Sequence, residues 1–181
     1  MKKLMTLAAM VFALVFTQQI TAQEFSGLDK SPADIASYPA SGREPAKKVR
    51  VIYSRPQLKG RSLADLAPAG KVWRTGANEA TEITFYEDVK VGDQSIKAGT
   101  YALFTIPGQD TWTIILNNNL NQWGAYSYDE SADVARIEAK ASEASESLEA
   151  FSIAFLEAQG GVQLVMGWGT SRVTVPITFS M

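Results

Sequence analysis

Residues 98–117 read AGTYALFTIPGQDTWTIILN, and they decide the fold class. Tyr101–Ile106 is apolar at successive positions, so both faces of this segment meet apolar surroundings, as in the central strand of a sheet. Pro107-Gly108-Gln109-Asp110 is a turn sequence, and Trp112–Leu116 follows as a second short apolar run. Outward from this pair the pattern repeats. Val49, Val51 and Tyr53 alternate with Arg50, Ile52 and Ser54, and Pro56 ends that strand. Ile83 and Phe85 alternate with Glu82 and Thr84, which gives one wet face. Val89 and Val91 lead through Gly92-Asp93 to Ile96, a compact hairpin.

Further short runs occur at Val134–Ala139, Phe151–Phe155, Val162–Met166 and Val173–Ile177, with Pro176 placing the last at an edge or a bulge. Ser62–Leu66 has room for one helical turn only. The repeated amphipathic helices of a βαβ architecture are missing, so the expected fold is all-β: an antiparallel β-sandwich over 49–181 preceded by an irregular arm over 23–48. Pro32, Pro39, Gly42 and Pro45 punctuate that arm. Residues 138–150 contain strong helix formers but no apolar stripe, so they read as a strand end, an exposed loop and a new strand from Leu148. The expected core comprises Phe85, Leu103, Phe104, Ile114, Phe151, Ile153, Phe155, Val165 and Val175.

The first 22 residues have the layout of an export signal: Lys2 and Lys3, an apolar run from Leu4 to Phe16, and a small residue at Ala22 for cleavage. The run is short for a bilayer span, and no Cys follows it to carry a lipid. The expected destination is therefore the periplasm or the exterior, with no transmembrane segment once the signal is removed. The whole chain of 181 residues is 46% hydrophobic and 20% charged, within the globular range. Loss of Lys2 and Lys3 takes 17 basic residues to 15 against 19 acidic ones, a net charge near −4, which offers no broad footprint for nucleic acid. His and Cys are both absent. Disulfides, thiol nucleophiles, Ser-His-Asp triads and the common zinc sites are thereby excluded, and no cofactor or metal is implied.

Two polar clusters carry the available chemistry. In Trp73-Arg74-Thr75-Gly76-Ala77-Asn78-Glu79, Arg74 offers a rigid fork of donors, Asn78 both donors and acceptors, and Glu79 an acceptor or an acid, beside the Trp73 indole. The structural alternative has Gly76 in a tight turn, Arg74 paired with Glu79, and Asn78 satisfying loop amides. In residues 117–129, the amide of Gln122 lies beside Trp123 and Tyr126, an arrangement suited to a sugar with its apolar face and polar rim. There the alternative is an inter-strand connection whose Asn side chains cap turns and whose aromatics plug the core. Trp73, Arg74, Asn78, Glu79, Gln122, Trp123 and Tyr126 are thus the candidate binding residues for a polar small molecule or glycan. A structural or protein-interaction domain is the second reading. A glycoside hydrolase is the third, with Glu79 and Asp129 the nominated carboxylates; no catalytic residue is otherwise identifiable. Arg55, Lys59 and Arg61 form a short basic group better read as solvated or paired, and Trp168, between two glycines, as closing the sandwich.

Five stretches in order, 51–61, 72–81, 98–107, 112–117 and 121–129, resemble a family of exported bacterial proteins found in Bacteroidetes and known as domain of unknown function 2911. The resemblance spans roughly residues 30 to 178. It implies one exported β-rich domain and brings no substrate, cofactor or catalytic residue. The export reading is checked by intact mass: protein recovered outside the cytoplasm should begin near Gln23, and full-length protein retained inside would contradict it.

Overall fold

The computed structural model describes residues 25–44 and 46–179; the segment over 1–22 that reads as an export signal lies outside them. In chain order the elements are β1 (Ala33–Tyr38), β2 (Val49–Ser54), α1 (Leu63–Leu66), β3 (Thr81–Phe85), β4 (Val89–Val91), β5 (Gln94–Ile96), β6 (Gly99–Ile106), β7 (Thr111–Asn117), a 3-10 turn (Glu130–Ala132), β8 (Asp133–Ala158) and β9 (Gly161–Phe179). Every pairing is antiparallel, in the order β1-β2-β3-β6-β7-β8-β9-β4-β5. β8 belongs to both layers. Its first part, to Lys140, pairs with β7, and from Ala141 to Ala158 it pairs with β9. The expected antiparallel β-sandwich is formed, with one long strand passing from sheet to sheet.

Period-2 burial accounts for the main core. Val49, Val51 and Tyr53 point inward with Ile83, Phe85, Leu103, Ile114, Phe151 and Ile153, and β9 adds Leu164, Met166, Trp168, Val173 and Val175. A smaller cluster lies on the opposite face of β6 and β7. Ala102, Phe104 and Ile115 pack there under Leu120, Ala125 and Tyr128 of the connection that follows β7. This is why Tyr101–Ile106 carries apolar residues on both faces: both are covered. Ser62 caps α1 in a reciprocal capping box with Asp65, which confines the helix to one turn before Pro68. Pro176 lies opposite the Gly92 turn and accepts from the Gly92 amide, so its missing N–H falls at the end of the β4 ladder.

Four expectations are corrected. The segment read as an irregular arm contains β1, which pairs along its whole length with β2; Asp34 and Ser37 blur the alternation of an edge strand, and the flanking prolines mask its extent. Residues 138–150 form neither helix nor loop but the middle of β8. Register breaks between Glu143 and Leu148, and between Leu148 and Ser152, leave much of that stretch exposed, so no apolar period appears. Val165 is half-buried because the inward positions of β9 are Val162, Leu164 and Met166, one step out of phase with the expectation. Phe155 is likewise half-buried, packed on the margin of the core.

The β8–β9 hairpin is strongly coiled. A straight strand would hold Gly161 and Ile177 about 50 Å apart. Yet a Cβ placed on Gly161 would collide with the Ile177 carbonyl oxygen and fall 2.9 Å from the Thr178 Cα. The two ends of β9 therefore meet, with Gly169, at φ +56°, on the path between them. Gly161→Ala should lower the thermal midpoint, since backbone rather than a flexible side chain must yield. Phe104→Ala should cost about 3–5 kcal/mol and Val165→Ala much less. Denaturant midpoints equal to wild type for Gly161→Ala and Phe104→Ala would contradict this packing.

Candidate functional site

Trp73 and Thr105 exchange two backbone hydrogen bonds, of 2.7 and 2.9 Å, while Thr81 pairs with Leu103 two residues away on β6. Residues 74–80 must therefore leave the sheet and return within one step of the ladder. The excursion is held from inside. The Thr75 hydroxyl lies 3.2 Å from that of Thr105, the Thr81 hydroxyl donates to the Thr75 carbonyl (2.7 Å), and the Trp73 indole N–H donates to the Gly76 carbonyl (3.2 Å). Thr75 and Asn78 adopt φ +56° and +59°. Gly76 does not turn the chain with positive φ. It is glycine because a Cβ there would lie 3.0 Å from the Ser54 carbonyl and 3.1 Å from the Thr81 hydroxyl.

This geometry removes Trp73 from the binding set. Its ring is only 6% exposed and stacks on Trp168 at 5.5 Å, with Phe151 and Trp112 edge-on at 5.0 and 6.2 Å. Trp168 closes the sandwich, as the sequence suggests, and donates its indole N–H to the Glu149 carbonyl (3.1 Å). The basic group is also structural in large part: Arg55 bonds Asp34, Ser152 and the Phe151 carbonyl, and Arg61 bonds the carbonyls of Gln57 and Leu58.

The other six candidates meet. Glu79 forms a bridge with Trp123, the Ala80 amide donates to the Gln122 carbonyl (2.8 Å), and the Gly124 amide donates to the Asn78 carbonyl (2.9 Å). Two segments some forty residues apart in sequence are thus joined by backbone bonds. Trp123 is 64% and Tyr126 88% exposed, so neither plugs the core. The Tyr126 ring lies beside Gly124, whose φ of +71° and closeness to that ring exclude a side chain. Arg74 is half-buried and makes no ion pair with Glu79; among the described residues its Nε is buried without a hydrogen-bond partner. Burial lowers the Arg74 pKa from its ordinary value, and the nearby Tyr126 opposes the shift. Gln122 shows the complementary condition: its amide donates to the Asn119 carbonyl (3.0 Å), and its Oε1 is buried without a partner among the described residues. Asp29 accepts from the Ser31 amide (2.6 Å), and that bond, with the nearby Asn78 side chain, holds its pKa below the ordinary value.

The residues that hold the second loop carry weaker signals in the sequence. Asn117, fully buried, donates to the Asp129 carbonyl (2.9 Å) and the Asp133 carboxylate (2.8 Å), and its oxygen accepts from the Asn119 amide (2.9 Å). Tyr128 donates to Asp133 (2.6 Å) while Arg136 donates to both. Burial and then the Asp133 carboxylate push the Tyr128 pKa well up. The run of asparagines at 117–119 hinted at turn capping, but which of them is buried depends on its place at the end of β7. Among the described residues no group of three or more acidic side chains is placed to hold a metal ion, and no helix is long and apolar enough to cross a membrane.

Compared with known families, residues 31–177 match the model described as "Protein of unknown function (DUF2911)". No curated protein and no solved structure matches the chain. The match covers most of the sequence, and the chain belongs to this family.

The anchoring of the second loop is testable without a ligand. Asn117→Ala deletes three hydrogen bonds at a fully buried position and should destabilise by about 1–3 kcal/mol. It should also broaden the Trp123 indole resonance as the loop loses its anchor. A variant with wild-type midpoint and spectrum would refute this role.

Proposed function

We propose that this member of the DUF2911 family is an exported module that binds an acidic glycan, or a similar polar small molecule bearing a carboxylate, at Arg74, Gln122, Trp123 and Tyr126. One observation carries the reading. Arg74 is half-buried near the exposed Tyr126 and has no counter-charge among the described residues. A charge so placed loses water without gaining a partner, and a ligand carboxylate would supply one through the planar guanidinium fork. The ring of Trp123 or Tyr126 offers a surface for the apolar face of a sugar. Asn78 and Glu79 complete the rim.

Of the nominated carboxylate pair, Asp129 is unsuited to the role of the acid. Asp129 caps the 3-10 turn, and hydrogen bonds from the Ser131 hydroxyl and amide hold its pKa below the ordinary value. A glycosidase acid needs the opposite shift.

The test is an array of uronic-acid oligosaccharides with their neutral counterparts. The acidic members should be retained. Arg74→Gln should weaken retention by about tenfold to a hundredfold, the scale of a charge-assisted bond. Trp123→Ala should weaken acidic and neutral glycans alike, and Glu79→Gln should alter no turnover. Equal retention of acidic and neutral sugars, or indifference to Arg74→Gln, would overturn the reading.

A further inference from the structure

A cavity lies away from this site, where the β8 ladder is interrupted. On its flank away from β9, β8 pairs with β7 as far as Lys140, and the Ala141 amide donates to the Asp110 carbonyl (2.9 Å). Residues 56–58 take up the same flank further on. The Leu58 amide donates to the Glu149 carbonyl and the Phe151 amide to the Pro56 carbonyl, both at 2.9 Å, around the Gln57–Ala150 bridge. Between these points, residues 142–148 have no strand partner on that flank among the described residues. The gap opens a cavity of about 700 Å³, within the range of ligand sites. Ser142, Glu143 and Ser147 line one side, Ala64 and Ala67 of the α1 segment another, and the buried indoles of Trp112 and Trp168 its base.

We propose that this gap receives an extended peptide with basic side chains, which adds a short strand to β8 between β7 and residues 56–58. A strand is the ligand that fits an interrupted ladder, because its backbone donors and acceptors repeat at the spacing of those on β8. The opposite flank is already settled. Glu143 pairs with Ser171 and Leu148 with Gly169, and Arg172 fills the bulge between them by donating to the carbonyls of Gly169 (2.9 Å) and Glu146 (2.8 Å). Charge selects basic side chains. Asp110, Glu143 and Arg61 line the cavity and Glu146 and Arg172 stand at the adjoining bulge, so carboxylates outnumber guanidinium groups by three to two. The alanines of the α1 segment leave room for small apolar side chains at alternate positions.

Three fluorescein-labelled heptapeptides probe the gap by anisotropy at low salt: alternating Lys and Val, alternating Glu and Val, and the Lys–Val sequence with Pro at its centre. The Lys–Val peptide should bind, and the other two should bind at least about tenfold more weakly, the first lacking the charge and the second the backbone donor. Glu143→Lys, Ser147→Trp and Ala64→Trp, all at exposed positions on two separate walls, should each reduce binding by a similar factor with unchanged thermal midpoints. Trp123→Ala should leave it unaltered. Equal binding of the Pro-interrupted peptide, indifference to the wall substitutions, or no binding of the Lys–Val peptide up to about 1 mM would overturn the proposal.

Discussion

The ring of Trp73 stacked against Trp168, with Trp112 and Phe151 edge-on to it, is the contact from which the rest of the structure takes its position. Four elements meet in it: the excursion before β3, β7, and the two strands of the long hairpin. Burying an indole removes about 150–250 Å² from water, a transfer term of about 4–6 kcal/mol before the cost of ordering the chain. The same residue is bonded through its backbone to Thr105 and through its indole N–H to Gly76. Side chain and main chain are therefore fixed together, and the chain continues through buried Thr75, Gly76 and Ala77. Arg74 is held half-buried between two buried neighbours, Trp73 and Thr75.

That constraint explains why a polar loop of this composition stays ordered with few contacts between its charged side chains. Arg74 and Glu79 do not need each other, because the loop is stapled by Trp73, Thr75 and Thr81 below and by the backbone of residues 122–124 beside it. The second loop is held separately, through Asn117 and the Tyr128–Asp133–Arg136 group at the junction of β7 and β8. Among the described residues, three buried side-chain polar atoms lack a partner, and two of them, on Arg74 and Gln122, belong to the candidate loops; the third is Arg50 Nε on β2. The placement of those two favours a site held ready for a ligand over a loop that merely closes on itself.

The strands with one clean face or two were legible in the sequence: β2, β3, the β4–β5 hairpin, β6 and β7 follow their alternation. The long hairpin was not, because its middle, around 142–150, is exposed and out of register, and a strand exposed in this way has no apolar period to read. Val165 shows how a one-residue phase error reverses inside and outside. Trp73 was misread because its surroundings in sequence are polar and glycine-rich, while its stacking partner Trp168 lies far along the chain. Conversely, the meeting of the two candidate loops depends on the Glu79–Trp123 bridge, a pairing that composition and spacing do not encode.

The central claim is that Arg74 and Trp123, far apart in sequence, form one surface for a single ligand. Its most direct test is a two-dimensional nitrogen-15 NMR titration of the folded domain with a galacturonic-acid oligosaccharide, following the Arg74 Nε–H and the Trp123 indole N–H together. The account predicts that both resonances move along one binding curve with the same Kd, while the buried Trp73 indole stays in place. Movement of either probe without the other, or a curve for Trp73 as large as theirs, would contradict it.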